Sequence, residues 1–145
     1  MVASHYHTKL IAEGAWGKVR AIYDTNGICR TEDFLNDEME KIKLGKNKGT
    51  AFDLCMEAFE ELARCGALPP KRFKGEPDGF TAIRLVIQNR QIRFPCFQDD
   101  NCWLITHGFF KPGAQKKLGQ WPTEELNRAK RLRTEYFTRK ALRNT

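Results

Sequence analysis

Apolar residues recur along this chain with two periods, and the switches between them mark its elements. Residues 16–24 set Trp16, Val19, Ala21, Ile22 and Tyr23 among Lys18 and Arg20, a loose two-residue alternation that predicts a strand. Asp24–Thr25–Asn26–Gly27 closes it with turn-forming residues. From Thr31 the period lengthens. Phe34, Leu35, Met39 and Ile42 form a helical stripe behind Glu32 and Asp33, which favour a helix start, and Gly45 and Gly49 end it. A second helix is expected over Thr50–Cys65, where Phe52, Cys55, Met56, Phe59, Leu62 and Ala63 recur at three- and four-residue steps. Gly66 and Pro69–Pro70 stop it. The pair is expected to form an antiparallel helical hairpin on one face of a sheet.

The short period then returns. Lys71–Lys74 leads into a turn at Gly75–Gly79, and strands are expected over Phe80–Ile87, Gln91–Gln98 and Cys102–Phe110. The links Asn89–Arg90 and Asp99–Asn101 are short, which implies an antiparallel meander. Pro95 removes one strand donor and predicts a bulge or an edge. Pro122, Glu124 and Glu125 open a last helix whose apolar face is Leu126, Ala129, Leu132, Tyr136 and Phe137. The predicted fold is α+β: a small twisted antiparallel sheet with an N-terminal helical hairpin and a C-terminal helix, in the order β-α-α-β-β-β-α. Residues 1–15 read as a tail, in which His5 and His7 form no metal site, and 16–145 as one domain.

Composition narrows the class. A chain of 145 residues is a size for one domain. No apolar run nears the roughly 18 residues that suggest a membrane span, and the first fifteen residues lack the apolar core of a secretory leader. The expected compartment is the cytoplasm, with no membrane partner. The five cysteines are odd in number and include no CxxC pair, so they read as small buried hydrophobes rather than as a zinc site or disulfide framework. The net charge of +7 is unevenly placed. Residues 1–110 balance fifteen Lys and Arg against fifteen Asp and Glu, whereas residues 111–145 hold ten against three. Such asymmetry points to a polyanionic partner, of which nucleic acid is the common case.

The order of motifs carries a resemblance. LITHGFFKPGAQKK (residues 104–117), followed by PTEELNRAKRLRTEY (122–136), resembles the phage-protein-like branch of the RelE/HigB toxin superfamily. ICRTEDFL (28–35) looks like that family's first-helix entry, and FTAIRL (80–85) and RQIRFPCF (90–97) like its strand arginine motifs. The resemblance covers roughly residues 16–140. It implies a RelE-like fold and the toxin of a type II toxin–antitoxin pair. Such a toxin cuts mRNA, commonly at the ribosome, with no metal or other cofactor, and is silenced by a small antitoxin, here expected to be a helix-turn-helix protein. One departure stands out. Many relatives follow the strand arginine with an aromatic pair that includes Tyr, and here Phe94–Pro95–Cys96–Phe97 follows Arg93.

Metal-free RNA cleavage needs a base for the 2′-OH, cations around the developing phosphorane and an acid for the leaving 5′ oxygen. Arg93 is the first candidate for the phosphate fork and Arg84 the second, because a planar guanidinium matches two phosphate oxygens. Lys111, Lys116 and Lys117 are candidates to grip substrate or to move a proton. Lys71, Arg72 and Lys74, with Arg128 and Arg131 on the last helix, are candidates for RNA contact. His107 has a suitable titration range but lies mid-strand, where a structural role is the stronger expectation. The competing reading is a non-catalytic nucleic-acid-binding or regulatory protein on the same scaffold.

Overall fold

The computed structural model describes residues 6–112 and 121–143. Among them the chain is α+β, with a seven-stranded mixed sheet and a long C-terminal helix. The strands are β1 (Thr8–Glu13), β2 (Lys18–Ile22), β3 (Phe73–Gly75), β4 (Thr81–Ile87), β5 (Arg90–Asp99), β6 (Cys102–Ile105) and β7 (Phe109–Phe110). Their spatial order is β1-β2-β6-β5-β4-β3, with β7 also on β5. Helix α1 (Arg30–Phe34) runs into a π-helical turn over Leu35–Met39, α2 spans Ala51–Cys65 and α3 spans Thr123–Arg143.

The expected elements are largely present, with three corrections. Thr8–Glu13, read as tail, is a strand paired antiparallel with β2. The sheet is not wholly antiparallel, because β2 and β6 run parallel; the chain leaves β2 through both helices and three strands before β6 lies down beside it. The expected single strand Cys102–Phe110 is broken at Thr106–Gly108. The expected order β-α-α-β-β-β-α thus lacks β1, the short β3 and this break.

Local chemistry explains the helices. The Asp53 carboxylate accepts the Thr50 N–H at 2.9 Å, closing the start of α2. Gly66, at φ +81°, ends it in the left-handed conformation that glycine adopts without strain. Ala51, Cys55, Ala58, Phe59, Leu62 and Ala63 are its buried face. Helix α1 starts at Arg30, one residue before the expected Thr31, and Thr31 is buried in its first turn. The wider turn after it, closed by Glu40 N–H to Leu35 O at 3.0 Å, sends both Leu35 and Met39 into the core.

The sheet has two buried faces. One packs on α1 and α2 through Val19, Ile83, Leu85, Ile92, Phe94, Cys96, Trp103 and Ile105. The other packs on Ala129, Leu132 and Tyr136 of α3 through Ile22, Phe80, Phe97 and Leu104. Cys29, Cys55 and Cys96 are buried free thiols, while Cys65 is exposed.

The break after β6 has a definite cause. In an antiparallel strand the N–H and C=O of one residue face the same neighbour. Pro95 O accepts the Thr106 N–H at 3.0 Å, so the missing N–H of Pro95 also faces this side. The register slips there: Ile105 lies opposite Cys96 and Phe109 opposite Arg93, so three residues face two. The expectation of a bulge near Pro95 is met, on the partner strand. Gly108 sits at the bend because a Cβ there would lie 2.4 Å from Phe34 Cδ2 and 2.6 Å from Phe94 Cε1. Gly108→Ala is expected to destabilise the protein by about 2 kcal/mol through overpacking, read as a lower urea midpoint at unchanged m-value.

Candidate functional site

Hairpin β4–β5 turns through Gln88 and Asn89, both at positive φ (51° and 67°), a tight connection that fixes register. That register puts Arg84 directly opposite Arg93. Side chains of directly paired residues share a face, and this is the face on which α3 packs. Two further residues follow from the same alternation. Lys74 of β3 pairs with Ala82, two residues before Arg84. Lys111 donates its N–H to Gln91 O at 2.8 Å, two residues before Arg93. Four cations therefore gather on one stretch of sheet, beside the start of α3, where Trp121 packs on Phe109 and Phe80.

One carboxylate lies among them. Glu76, in the turn between β3 and β4, feels Lys74, Arg84, Arg93 and Lys111. Burial raises its pKa, and the four cations only partly offset the rise. Burial lowers the Arg93 pKa, helped by the repulsion of Arg84. Lys111 is lowered by burial and then by Arg93 and Arg84. Arg93 is only 2% exposed. Its Nη1 donates to Ile92 O at 3.1 Å and its Nη2 to Gln91 Oε1 at 2.9 Å, so the guanidinium plane is fixed. A half-buried carboxylate with a raised pKa beside cations with depressed ones is the electrostatic pattern of acid–base sites.

The other candidates divide. Lys71 and Arg72 line a cavity of about 620 Å³ together with Arg84 and Arg93, and Glu57 and Glu61 of α2 also face it. Arg72 is already paired with Glu61 at 2.9 Å. Arg128 and Arg131 are not in this cavity. Arg128 pairs with Glu125 at 3.1 Å and Arg131 with Glu135 at 4.0 Å. Lys116 and Lys117 lie outside the described residues. Among the described residues no three His, Cys, Asp or Glu side chains are placed to hold a metal ion, and no helix is long and apolar enough to cross a membrane.

His107 is buried, with Nε2 2.9 Å from Glu125 Oε1 and Nδ1 2.9 Å from Thr106 Oγ1. Burial lowers its pKa against the pull of Glu125. The neutral ring then donates from Nε2 to Glu125 and accepts the Thr106 hydroxyl at Nδ1. Burial works to raise the Glu125 pKa, but the bonds from His107 and Arg128 hold it low. This chain ties the bulge to the first turn of α3, a structural use of histidine. Nor does any of the three tyrosines join the cluster. Tyr136 donates to Asp99 Oδ2 at 2.7 Å with its pKa pushed far up by burial and then by Asp99, Tyr6 packs on Tyr136, and Tyr23 follows β2.

Sequence reasoning missed Glu76. The available signal was that Glu76 and Asp78 are the only carboxylates between Glu61 and Asp99, a stretch with seven Lys and Arg.

The chain matches no family model, no curated protein and no solved structure.

Like charges directly opposite on a sheet repel. Arg84→Gln is expected to raise stability by about 0.5 kcal/mol; inorganic phosphate is expected to raise the melting temperature of the wild type and not that of the variant. Thermal melts with and without phosphate, at fixed ionic strength, measure both.

Proposed function

We propose that this protein is a metal-independent endoribonuclease, the toxin of a type II toxin–antitoxin pair, acting on translated mRNA in the cytoplasm and held silent by a small helix-turn-helix antitoxin. The observation that carries the reading is Glu76 set among Arg84, Arg93, Lys74 and Lys111 on the α3-side face of the sheet. The resemblance of residues 104–117 and 122–136 to the RelE/HigB superfamily supports the biological setting.

The residues suit the chemistry. Glu76 takes the proton of the 2′-OH, whose oxygen attacks the adjacent phosphorus. A base whose pKa has risen toward working pH holds that proton better in the transition state. Arg93 and Arg84 stabilise the extra negative charge on the non-bridging oxygens, from positions fixed before substrate arrives. Lys111, with its lowered pKa, passes a proton to the departing 5′ oxygen. The P–O5′ bond breaks, leaving a 2′,3′-cyclic phosphate and a 5′-hydroxyl. Lys74, Lys71 and Arg72 extend the positive track along flanking phosphates.

A second reading is a nucleic-acid-binding protein without catalysis. The 2% exposure of Arg93 and its two internal hydrogen bonds favour it. Glu76→Gln separates the two. In a translating extract it is expected to cut mRNA at least 100-fold more slowly than wild type while binding RNA slightly more tightly, because one negative charge is gone. Wild-type cleavage should fall toward acid pH with a midpoint above 4.5, the ordinary glutamate value, since only the ionised form is a base. Wild-type protein that binds RNA yet leaves it intact would sink the nuclease reading.

A further inference from the structure

A second arginine floors a different recess on the same sheet face. Arg20 of β2 lies opposite Leu10 and beside Leu104, and only 8% of it is exposed. Its Nη1 is 3.4 Å from Thr8 Oγ1, a long contact, and its Nε is buried with no partner. No carboxylate of the described residues lies within ion-pair distance. The exposed remainder of Arg20 opens onto a cavity of about 580 Å³ that Lys18, Trp16, Tyr6 and Tyr136 also line.

Nothing else in the cavity answers this charge. Asp99 is taken, since its carboxylate receives Lys140 Nζ at 2.7 and 2.8 Å and the Tyr136 hydroxyl at 2.7 Å. Burial pushes the Cys102 thiol up to about 11, so it is neutral. A buried guanidinium without a counter-ion is costly, and one beside an open cavity is ready for an anion from outside. With Nη1 turned to Thr8 and Nε buried, Nη2 is the donor left to meet a carboxylate oxygen from the cavity. Glu13 and Asp100 stand exposed at the mouth and would repel a phosphate strand. Aromatic walls and a rim of both signs suit a polypeptide.

We propose that this cavity docks a carboxylate of a polypeptide partner, with Arg20 as the fork and Lys18 as the second cation. The site is independent of the nuclease reading. It lies beside the last turns of α3, and the 14 helical residues from Thr123 to Tyr136 place it roughly 20 Å from the basic cluster. A partner held there leaves the cluster uncovered.

The test follows the Arg20 Nε–H resonance of the full chain in ¹⁵N spectra at constant ionic strength. Acetyl-Glu-amide is expected to shift it saturably, and acetyl-Gln-amide and inorganic phosphate are not. Arg20→Gln should abolish binding, followed then by Trp16 fluorescence. Lys18→Ala, at a partly exposed site, should weaken it roughly threefold to fivefold, which keeps the test valid should the Arg20 variant misfold. Arg93→Gln should leave it unchanged. An equal response to the Gln peptide, an equal or stronger response to phosphate, or loss of the response in Arg93→Gln would overturn the proposal.

Discussion

One missing hydrogen-bond donor shapes the working end of this sheet. Pro95 lies in β5, which is flanked on both sides, and cannot offer an N–H toward β6. The facing chain therefore bulges at Thr106–Gly108, and everything beyond is displaced by one residue. That shift turns Phe109 to the Arg93 side and Lys111 to a position beside Gln91. It also turns His107 toward Glu125, which fixes where α3 begins. The space left by the absent side chain of Gly108 is filled by Phe34 and Phe94, edge to face at 5.7 Å. Core packing, the cation cluster and the seat of the last helix thus depend on one proline.

What the sequence made legible was local. Helix α2 was readable because its stripe, its start and its glycine stop lie within seventeen residues. Hairpin β4–β5 was readable because arginine is conspicuous in an apolar strand and Asn89 marks a turn, although the turn falls at Gln88–Asn89, one residue before the expected Asn89–Arg90. What stayed hidden was non-local. Strand β1 shows little alternation and leaves Leu10 43% exposed, so its signal lies in the partner it pairs with. The parallel pairing of β2 with β6 joins Lys18 to Cys102, and no short stretch encodes a contact that distant. The break after Ile105 is written on another strand, at Pro95. Glu76 looked like a turn residue, and it meets the cations only once β3 has folded against β4.

The charge pattern shows a similar limit. The net positive charge lies in the last quarter of the sequence, yet α3 is largely neutralised where it stands. Glu125 answers Arg128, Asp78 lies 3.9 Å from Lys130, and Asp99 holds Lys140. Arg133 donates to Asp78 O and stacks over Phe80, and Arg139 donates to the carbonyls of Tyr6 and Tyr23. These cations fasten the helix to the sheet. The less compensated field is on the sheet itself, where Arg84 and Arg93 face each other and Glu76 feels both arginines together with Lys74 and Lys111. Net charge along a sequence and potential at a surface are different quantities, and the second decides where a polyanion settles.

Helix α3 crosses this face with the paired Arg84 and Arg93 on strands beside its start and the Arg20 recess beside its last turns. The two differ in what surrounds the arginine. Around Arg84 and Arg93 the cations Lys71, Arg72, Lys74 and Lys111 outnumber the carboxylates Glu57, Glu61 and Glu76, and Glu61 is already paired with Arg72, an environment that gains from phosphate after phosphate. Around Arg20 the neighbours include Glu13 and Asp100, and an Asp99 already neutralised by Lys140 and Tyr136. That setting tolerates one carboxylate and resists a strand of phosphates. On the proposed readings, the same residue type on the same face thus meets two partners: nucleic acid at the start of α3 and a polypeptide at its end. Between the two recesses β5 and β6 are paired from Cys96–Ile105 to Asp99–Cys102, so each arginine sits on its own stretch of the sheet.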